Sequence, residues 1–315
     1  MTLQALSEPT PSSRRSGASP SPRASTAPAR TVVLGLDHRR VLFASETAAP
    51  LLEALAFVYG DFTHGALDGR VGGTALDALC RLEHGRAGTS RDHARPPRTV
   101  LRVGMRAVWR GRGDAEAVAA LDACAAGHLL PGADDGAAVL HASCVELPGV
   151  GSILLCAPSG GGKTTLAAAL LAQGCRLVAD DLVPLDAATL GPRAFPRALA
   201  LKPGAPTPAC ALDDRLTLAG EAAPLTYVVA ANRLRPAEAA LPLRAVVMVN
   251  HAPRSEPVLL PLPGADVAAL LAQRVAEAPV AAAALAADIA QTTPALLLQF
   301  PDAAAAARLL LRALT

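Results

Sequence analysis

The sequence has 315 residues, a formal net charge of +2 at pH 7 and 51% hydrophobic residues. This length allows one large domain or two modest ones with a proper hydrophobic core, and the small net charge gives no indication of nucleic-acid binding. No apolar stretch reaches the roughly 20 uninterrupted residues of a membrane span. We also find no apolar signal segment at the start. We therefore expect a cytoplasmic protein without nucleic-acid or membrane partners.

The cysteines and histidines indicate neither disulfides nor a metal cluster. The six cysteines form no C-x-x-C pair, and free thiols in a reducing cytosol explain them best. Four histidines lack metal-ligand spacing and are interpreted as ordinary surface residues: His38, His64, His84 and His93.

The chain begins with a segment of low complexity. Residues 1–30 are rich in Ser, Pro, Ala and Arg and cannot bury enough apolar surface to become ordered, so we expect a disordered tail. Residues 31–112 then change to strand and helix patterns that predict a small N-terminal α/β domain. Its predicted elements are strands at 31–36 and 41–44, helices at 47–58 and 74–82, and a hairpin of strands at 100–103 and 106–109.

Residues 113–315 predict a second, larger α/β domain. Asp114 is expected to cap a helix that ends near residue 127, and Asp302 to cap a helix at the end of the chain. Between them the patterns predict one strand over 137–146, strands at 153–156, 176–179, 225–229, 244–249, 256–260 and 295–300, and helices at 164–173 and 266–290, the latter broken at Pro279.

The most informative segment of this domain is a glycine-rich loop between a strand and a helix. It matches the Walker A pattern G-x-x-x-x-G-K-[ST] except that Ala157 replaces the first glycine, which requires a negative φ there. In this pattern the lysine reaches the β- and γ-phosphates, the next hydroxyl binds Mg²⁺, and the loop amides hold the other oxygens. The predicted nucleotide-binding residues are Pro158, Ser159, Gly160, Gly161, Gly162, Lys163, Thr164 and Thr165. The alternative is a glycine-rich turn that binds nothing.

An acidic pair follows at the end of the next predicted strand. Asp180 and Asp181 lie close after Lys163 in the chain, and if the two strands are parallel and near neighbours the carboxylates approach the γ-phosphate. One carboxylate can then organise Mg²⁺ while the other accepts a proton from an attacking hydroxyl. The alternative is that the pair simply opens a turn.

These residues resemble a known family. The run 159–167 (SGGGKTTLA), the run 173–181 (QGCRLVADD) and the upstream 140–143 (LHAS) are similar to HPr kinase/phosphorylase, and more closely to the HPr-kinase-related serine kinases. The resemblance covers roughly residues 114–262. It departs from the founding enzymes because no glycine-rich motif with a Mg²⁺-binding glutamate follows the acidic pair, which leaves the second metal ligand and the phosphorolysis reaction open.

The resemblance implies a P-loop kinase domain of the HPr kinase/PEP carboxykinase-like type, with ATP and Mg²⁺ as cofactors. It implies that Asp181 is the catalytic base and that His141 assists. By the Walker A pattern Lys163 neutralises charge on the phosphates and Thr164 holds the metal, while Asp180 supports the metal or the base. By the pattern alone, His141 is more simply a structural residue of a strand. The implied acceptor is a serine hydroxyl of a protein or ribosomal peptide. The alternative functions are a small-molecule hydroxyl kinase and a non-catalytic nucleotide-binding regulatory module. The sequence leaves open whether the protein forms a homo-oligomer.

Two later cations have two interpretations. Arg197 and Lys202, in the segment 195–204, can contact phosphate or an acidic substrate, or can belong to a solvated edge.

Overall fold

The computed structural model describes residues 30–63, 78–84, 98–131, 135–203, 205, 212–234, 241–253, 256–277 and 279–315. Within these ranges the chain is a mixed α/β protein with several sheets. The predicted tail lies outside them except for Arg30, which begins the first strand. No helix in the described ranges has the length and apolar character needed to cross a membrane.

The first sheet has the order β1-β2-β3-β4-β5, with a parallel pairing between β2 and β3 and antiparallel pairings elsewhere. These strands are β1 (Arg30–Leu36), β2 (Arg39–Ser45), β3 (Ala78–His84), β4 (Thr99–Val103) and β5 (Arg106–Gly111). Two helices pack against this sheet, α1 (Ala49–Tyr59) and α2 (Asp114–Leu129), and a short 3₁₀ turn (Gly60–Phe62) follows α1.

The predicted helix at 74–82 is wrong over its described part, which is strand β3. Ala78, Cys80 and Leu82 are buried while the residues between them are exposed, a period of two that belongs to a half-buried strand. Residues 64–77, which hold the start of that predicted helix, lie outside the described residues.

The hydrophobic core is continuous from the first sheet into the rest of the chain. Phe43 of the sheet, Leu121 of α2 and Phe195 belong to one buried cluster. The aromatic rings of Tyr59 and Phe62 meet the Phe195 ring at centroid distances of 6.2 and 5.1 Å. The helix expected to open the second domain therefore packs on the first sheet, and Gly113 rather than Asp114 occupies its N-cap position. The division of the chain at residue 112 stays a prediction.

The remaining strands form two three-stranded sheets, β10-β6-β16 and β11-β13-β12, and a six-stranded sheet, β15-β17-β14-β8-β7-β9. In chain order the strands are β6 (Ala137–Leu140), β7 (Ser143–Leu147), β8 (Gly151–Cys156), β9 (Arg176–Ala179), β10 (Val183–Asp186), β11 (Leu199–Leu201), β12 (Leu212–Leu218), β13 (Leu225–Ala230), β14 (Leu243–His251), β15 (Val258–Pro261), β16 (Val275–Glu277) and β17 (Ala295–Phe300). The helices are α3 (Lys163–Leu171), α4 (Gly264–Ala272), α5 (Pro279–Thr292) and α6 (Ala303–Leu314).

Two predicted elements are divided in the structure. The single strand expected over 137–146 is two strands in different sheets, because the chain bends at His141 and Ala142 and the His141 amide donates to the Arg274 carbonyl at 2.7 Å. The long helix over 266–290 is α4, the short strand β16 and α5, with Pro279 at the start of α5, where its missing N–H costs nothing. Asp302 caps α6 as expected, accepting from the amides of Ala304 and Ala305.

The strand directions in the six-stranded sheet bring several loops to one edge. Strands β8 and β9 are parallel to each other, as expected, but β7 lies between them and runs antiparallel to both. Strands β14 and β17 run parallel to β8. The C-terminal ends of β8, β9, β14 and β17 therefore meet the N-terminal end of β7, and such edges are where open α/β sheets bind ligands.

Candidate functional site

The glycine-rich loop lies between β8 and α3, at this sheet edge. Gly160 and Gly162 have φ values of +81° and +93°, which side chains other than glycine rarely adopt. Ala157 has no positive φ and is buried, so the alanine satisfies the condition set by the sequence. A Cβ atom on Gly161 would lie 2.7 Å from the Cβ of Ala157. With alanine at position 157, the loop therefore requires glycine at position 161.

Lys163 begins helix α3 and is only 7% exposed. Its ammonium donates to the Ala157 carbonyl at 3.0 Å and lies 3.4 Å from Nε2 of His141. Burial lowers the pKa of Lys163, although the nearby carboxylates of Asp180 and Asp181 oppose this shift. A buried cation at a helix N-terminus, beside a glycine-rich loop, is a strong attraction for phosphate.

His141 joins this lysine to the second aspartate of the pair. Its Nδ1 lies 3.1 Å from Oδ1 of Asp181 and 3.0 Å from the Asp181 carbonyl oxygen. These partners assign the ring proton to Nδ1, which leaves Nε2 to accept from Lys163. The bend after β6 thus places His141 between the cation and the carboxylate, which the single predicted strand would not have done.

Asp181 is held in an unusual backbone conformation, with φ at +68°. For a residue other than glycine this costs of order 1–3 kcal/mol, and such positions cluster at functional sites. The side chain is 60% exposed, so its carboxylate is open to a ligand in the adjoining cavity.

Asp180 has the opposite environment because it is 5% exposed. Its Oδ1 accepts from the hydroxyl of Ser143, Thr164 Oγ1 lies 3.0 Å from its Oδ2, and its carbonyl accepts from Arg197 at 3.1 Å. Burial raises the pKa of this carboxyl group, and the two hydroxyl donors only partly offset the effect. Two neighbouring aspartates in such different surroundings are suited to different roles.

The residues around Asp180 fit a magnesium ion. The hydroxyl of Thr164 and the carboxylate of Asp180 are hard oxygen donors, the type that Mg²⁺ prefers, and a bound cation would offset the cost of the buried carboxylate. These are the two residues that the Walker A pattern and the acidic pair suggest as metal ligands.

Arg197 differs from both interpretations of its sequence. It is 5% exposed, so it does not belong to a solvated edge, and it is not among the residues that line the cavity. Instead it pairs with Asp122 of α2, stacks over the Phe195 ring at 5.2 Å and donates to the Asp180 carbonyl. Through this last hydrogen bond Arg197 holds the backbone of the acidic pair without lining the cavity itself. Lys202, in contrast, is exposed at the cavity, with its ammonium 3.4 Å from Oγ of Ser159.

A cavity of about 680 Å³ opens at this edge. Its lining includes every predicted site residue except Pro158 and Gly161, which lie in the loop behind it: His141, Ser159, Gly160, Gly162, Lys163, Thr164, Thr165, Asp180 and Asp181. This volume is in the usual range for small-molecule and cofactor pockets.

Sequence reasoning missed three polar residues of the site. Ser143 of β7 donates to Asp180, and His251 and Asp302 also line the cavity. His251 ends the apolar strand β14, and a polar residue at the C-terminal end of a buried strand was the signal that could have found it.

A search against protein-family models found no match for this chain, and a search of curated proteins found none either.

Proposed function

We propose that this protein is an ATP-dependent kinase that transfers the γ-phosphoryl group to a serine hydroxyl of a protein or peptide. The observation that carries the proposal is the chain of contacts from Lys163 through His141 to the exposed carboxylate of Asp181, all three lining one cavity. A phosphate-binding cation and an accessible base within one hydrogen-bonded group are what phosphoryl transfer to a hydroxyl requires.

The nucleotide side of the proposal rests on the loop and helix α3. Gly160, Gly162 and Lys163, the first residue of α3, line the cavity, where backbone amides, the helix N-terminus and the lysine ammonium can neutralise the phosphates of ATP. This arrangement, and the sheet edge on which it lies, support a P-loop domain of the HPr kinase type as the finer description of the fold.

Thr164 and Asp180 would hold Mg²⁺, which supplies charge neutralisation at the phosphates when bound. Asp180 suits this role better than that of a base because its carboxylate is buried and already accepts two hydroxyl hydrogen bonds.

Asp181 would accept the proton of the acceptor hydroxyl. The hydroxyl oxygen forms a bond to the γ-phosphorus, the bond from that phosphorus to the β–γ bridging oxygen breaks, and ADP leaves with the electron pair. His141 orients the carboxylate through its Nδ1–H, and its contact with Lys163 keeps the ring between the two groups. Lys202, exposed at the cavity, is placed to contact an acidic part of the acceptor.

The first test is nucleotide binding. Calorimetric titration with ATP and Mg²⁺ should show one site on the full chain, and Lys163→Ala should abolish measurable binding or turnover. A folded Lys163→Ala protein with unchanged affinity and turnover would remove the basis of the proposal.

The second test is transfer to serine. Serine-containing peptides and proteins incubated with radiolabelled ATP should acquire phosphoserine, and Asp181→Asn should lower the rate by ~10²–10⁴ while keeping ATP affinity within a few fold. The matched control is Asp37→Asn, because Asp37 is also an aspartate with positive φ, at 52°, but lies in the turn between β1 and β2. Equal transfer rates in both variants would refute the role of Asp181.

Other outcomes would select the alternatives. ATP binding without transfer to any hydroxyl would favour the regulatory module. Transfer only to a small hydroxyl compound would favour a small-molecule kinase.

A further inference from the structure

Three side chains that can bind a metal lie together between the first sheet and helix α2, outside the candidate active site. Cys80 is on β3, and Cys124 and His128 are on α2, with one ligand atom from each residue within 4.8 Å of the others. The spacing of four residues places Cys124 and His128 on the same face of the helix, one turn apart. Cys80 belongs to the inward-facing, buried set of β3.

The distance between the two sulfur atoms suits a shared metal better than a disulfide. It is 3.6 Å, whereas a disulfide requires about 2.0 Å. Two thiolates bound to one tetrahedral zinc ion at the usual Zn–S length of about 2.3 Å lie about 3.8 Å apart. The cysteines therefore need almost no rearrangement to bind zinc, and must approach by well over 1 Å to form a disulfide.

We propose that Cys80, Cys124 and His128 form a zinc site that ties helix α2 to the first sheet. Two sulfur ligands and one imidazole suit Zn²⁺, a borderline soft ion, more than Mg²⁺ or Ca²⁺, which take oxygen ligands. The ion replaces the two thiol protons, and the two thiolate charges balance its own. This set is distinct from the oxygen donors Thr164 and Asp180.

The burial of the three residues allows the ion to enter. Cys80 is fully buried, while Cys124 and His128 are only half-buried, so the site is not closed off from solvent. A water molecule can therefore complete the four ligands from the open side, as in zinc sites with three protein ligands.

The same helix gives the site a structural consequence. Asp122, two residues before Cys124, pairs with Arg197, which in turn donates to the Asp180 carbonyl. A metal that fixes α2 on the sheet also fixes the first member of this chain of contacts. Because the ion binds the folded chain, it should raise the melting temperature by mass action.

The test uses the full chain without an affinity tag, reduced and stripped of metal by a chelator. Titration with Co²⁺ alone should give one equivalent bound, with a thiolate-to-cobalt charge-transfer band in the near ultraviolet and the intense visible bands of a tetrahedral site. Zn²⁺ should abolish these bands by displacement, and its affinity is then measured by competition with a chromophoric chelator.

Variants assign the ligands. His128→Asn and Cys124→Ser should each weaken zinc binding by at least about 100-fold, the upper end of the loss caused by removing a mere outer-shell partner. His128→Asn is the safer variant for folding because His128 is only half-buried. The control is Cys175→Ser, which removes a buried thiol immediately before β9 and should leave the titration unchanged.

Two results would overturn the proposal. One is a cobalt spectrum without thiolate character, or with thiolate bands that persist in both ligand variants. The other is a disulfide between Cys80 and Cys124, detected by peptide mass spectrometry of protein purified under reducing conditions.

Discussion

Replacing Arg197 by methionine tests the buried contacts behind the acidic pair. Arg197 is 5% exposed and donates to the carboxylate of Asp122 and to the carbonyl of Asp180. Methionine keeps much of the length and apolar contact of the side chain but removes its charge. Asp122 then keeps only the Tyr59 hydroxyl, at 2.8 Å, among the side-chain partners described here.

The expected loss of stability is large because the substitution leaves the Asp122 carboxylate without its charged partner. Breaking such a pair typically lowers the free energy of unfolding by about 3–5 kcal/mol. For domains of 150–250 residues, each kcal/mol lost from the free energy of unfolding lowers the melting temperature by ~2–4 °C. We therefore expect the melting temperature to fall by roughly 6–20 °C.

The control is Arg193→Met, four residues earlier. Arg193 pairs with Asp186 at 2.6 Å, but its side chain is 33% exposed, and a pair this open to solvent is worth only about 0.2–1 kcal/mol. Urea unfolding followed by circular dichroism compares the two variants under the same conditions. If Arg197→Met is no less stable than Arg193→Met, the buried pair does not stabilise the chain as argued.

A double variant separates charge from packing. Asp122→Leu combined with Arg197→Met removes both charges, and replacement of a buried ion pair by apolar residues is often neutral or stabilising. We expect the double variant to be more stable than Arg197→Met alone.

Three further predictions concern the proposed metal ligand, the loop and acid stability. Asp180→Asn should raise the Mg²⁺ concentration needed for half-maximal activity, and an unchanged Mg²⁺ titration would show that this carboxylate is not a ligand. Gly161→Ala should weaken ATP binding measured by calorimetry, because its Cβ would lie 2.7 Å from that of Ala157; restored binding in Gly161→Ala with Ala157→Gly would identify this clash as the cause. The hydrogen bond from Arg193 holds the pKa of Asp186 at about 2, below the usual 3.8, so the pair stabilises the fold above about pH 4 and loses this effect as pH falls through 2. The loss of stability in Arg193→Met should therefore be smaller near pH 3 than near pH 7, and an equal loss at both would contradict this coupling.

Local patterns in the sequence predicted most of the elements around the candidate site. The strand before the glycine-rich loop, helix α3, strand β9 and the cap at Asp302 are where the patterns placed them, to within a few residues. These elements depend on neighbours in sequence: apolar periodicity, glycine at a turn, and a side chain that reaches its own backbone. The clustering of Lys163, Asp180 and Asp181 was expected because β8 and β9 were predicted to be parallel. The two strands are parallel, but they are not adjacent in the sheet, since β7 lies between them.

The errors arose where pairing with distant residues decides the conformation. Residues 78–82 belong to the predicted helix at 74–82, but pairing with β2 and β4 makes them part of a strand. The segment 137–146 alternates like one strand, yet its two halves pair in different sheets, and the bend between them is what directs His141 toward Asp181.

The sequence by itself determined the residues of the glycine-rich loop and the acidic pair, because each is a short run of consecutive residues with a recognisable chemical pattern. Only the tertiary structure decided how they differ in environment. Asp180 is buried against Ser143 while Asp181 is exposed beside His141, and Arg197 contacts a helix 75 residues earlier rather than the cavity. Burial and charge pairing depend on which distant residues pack around a group, and a local sequence pattern does not predict that packing.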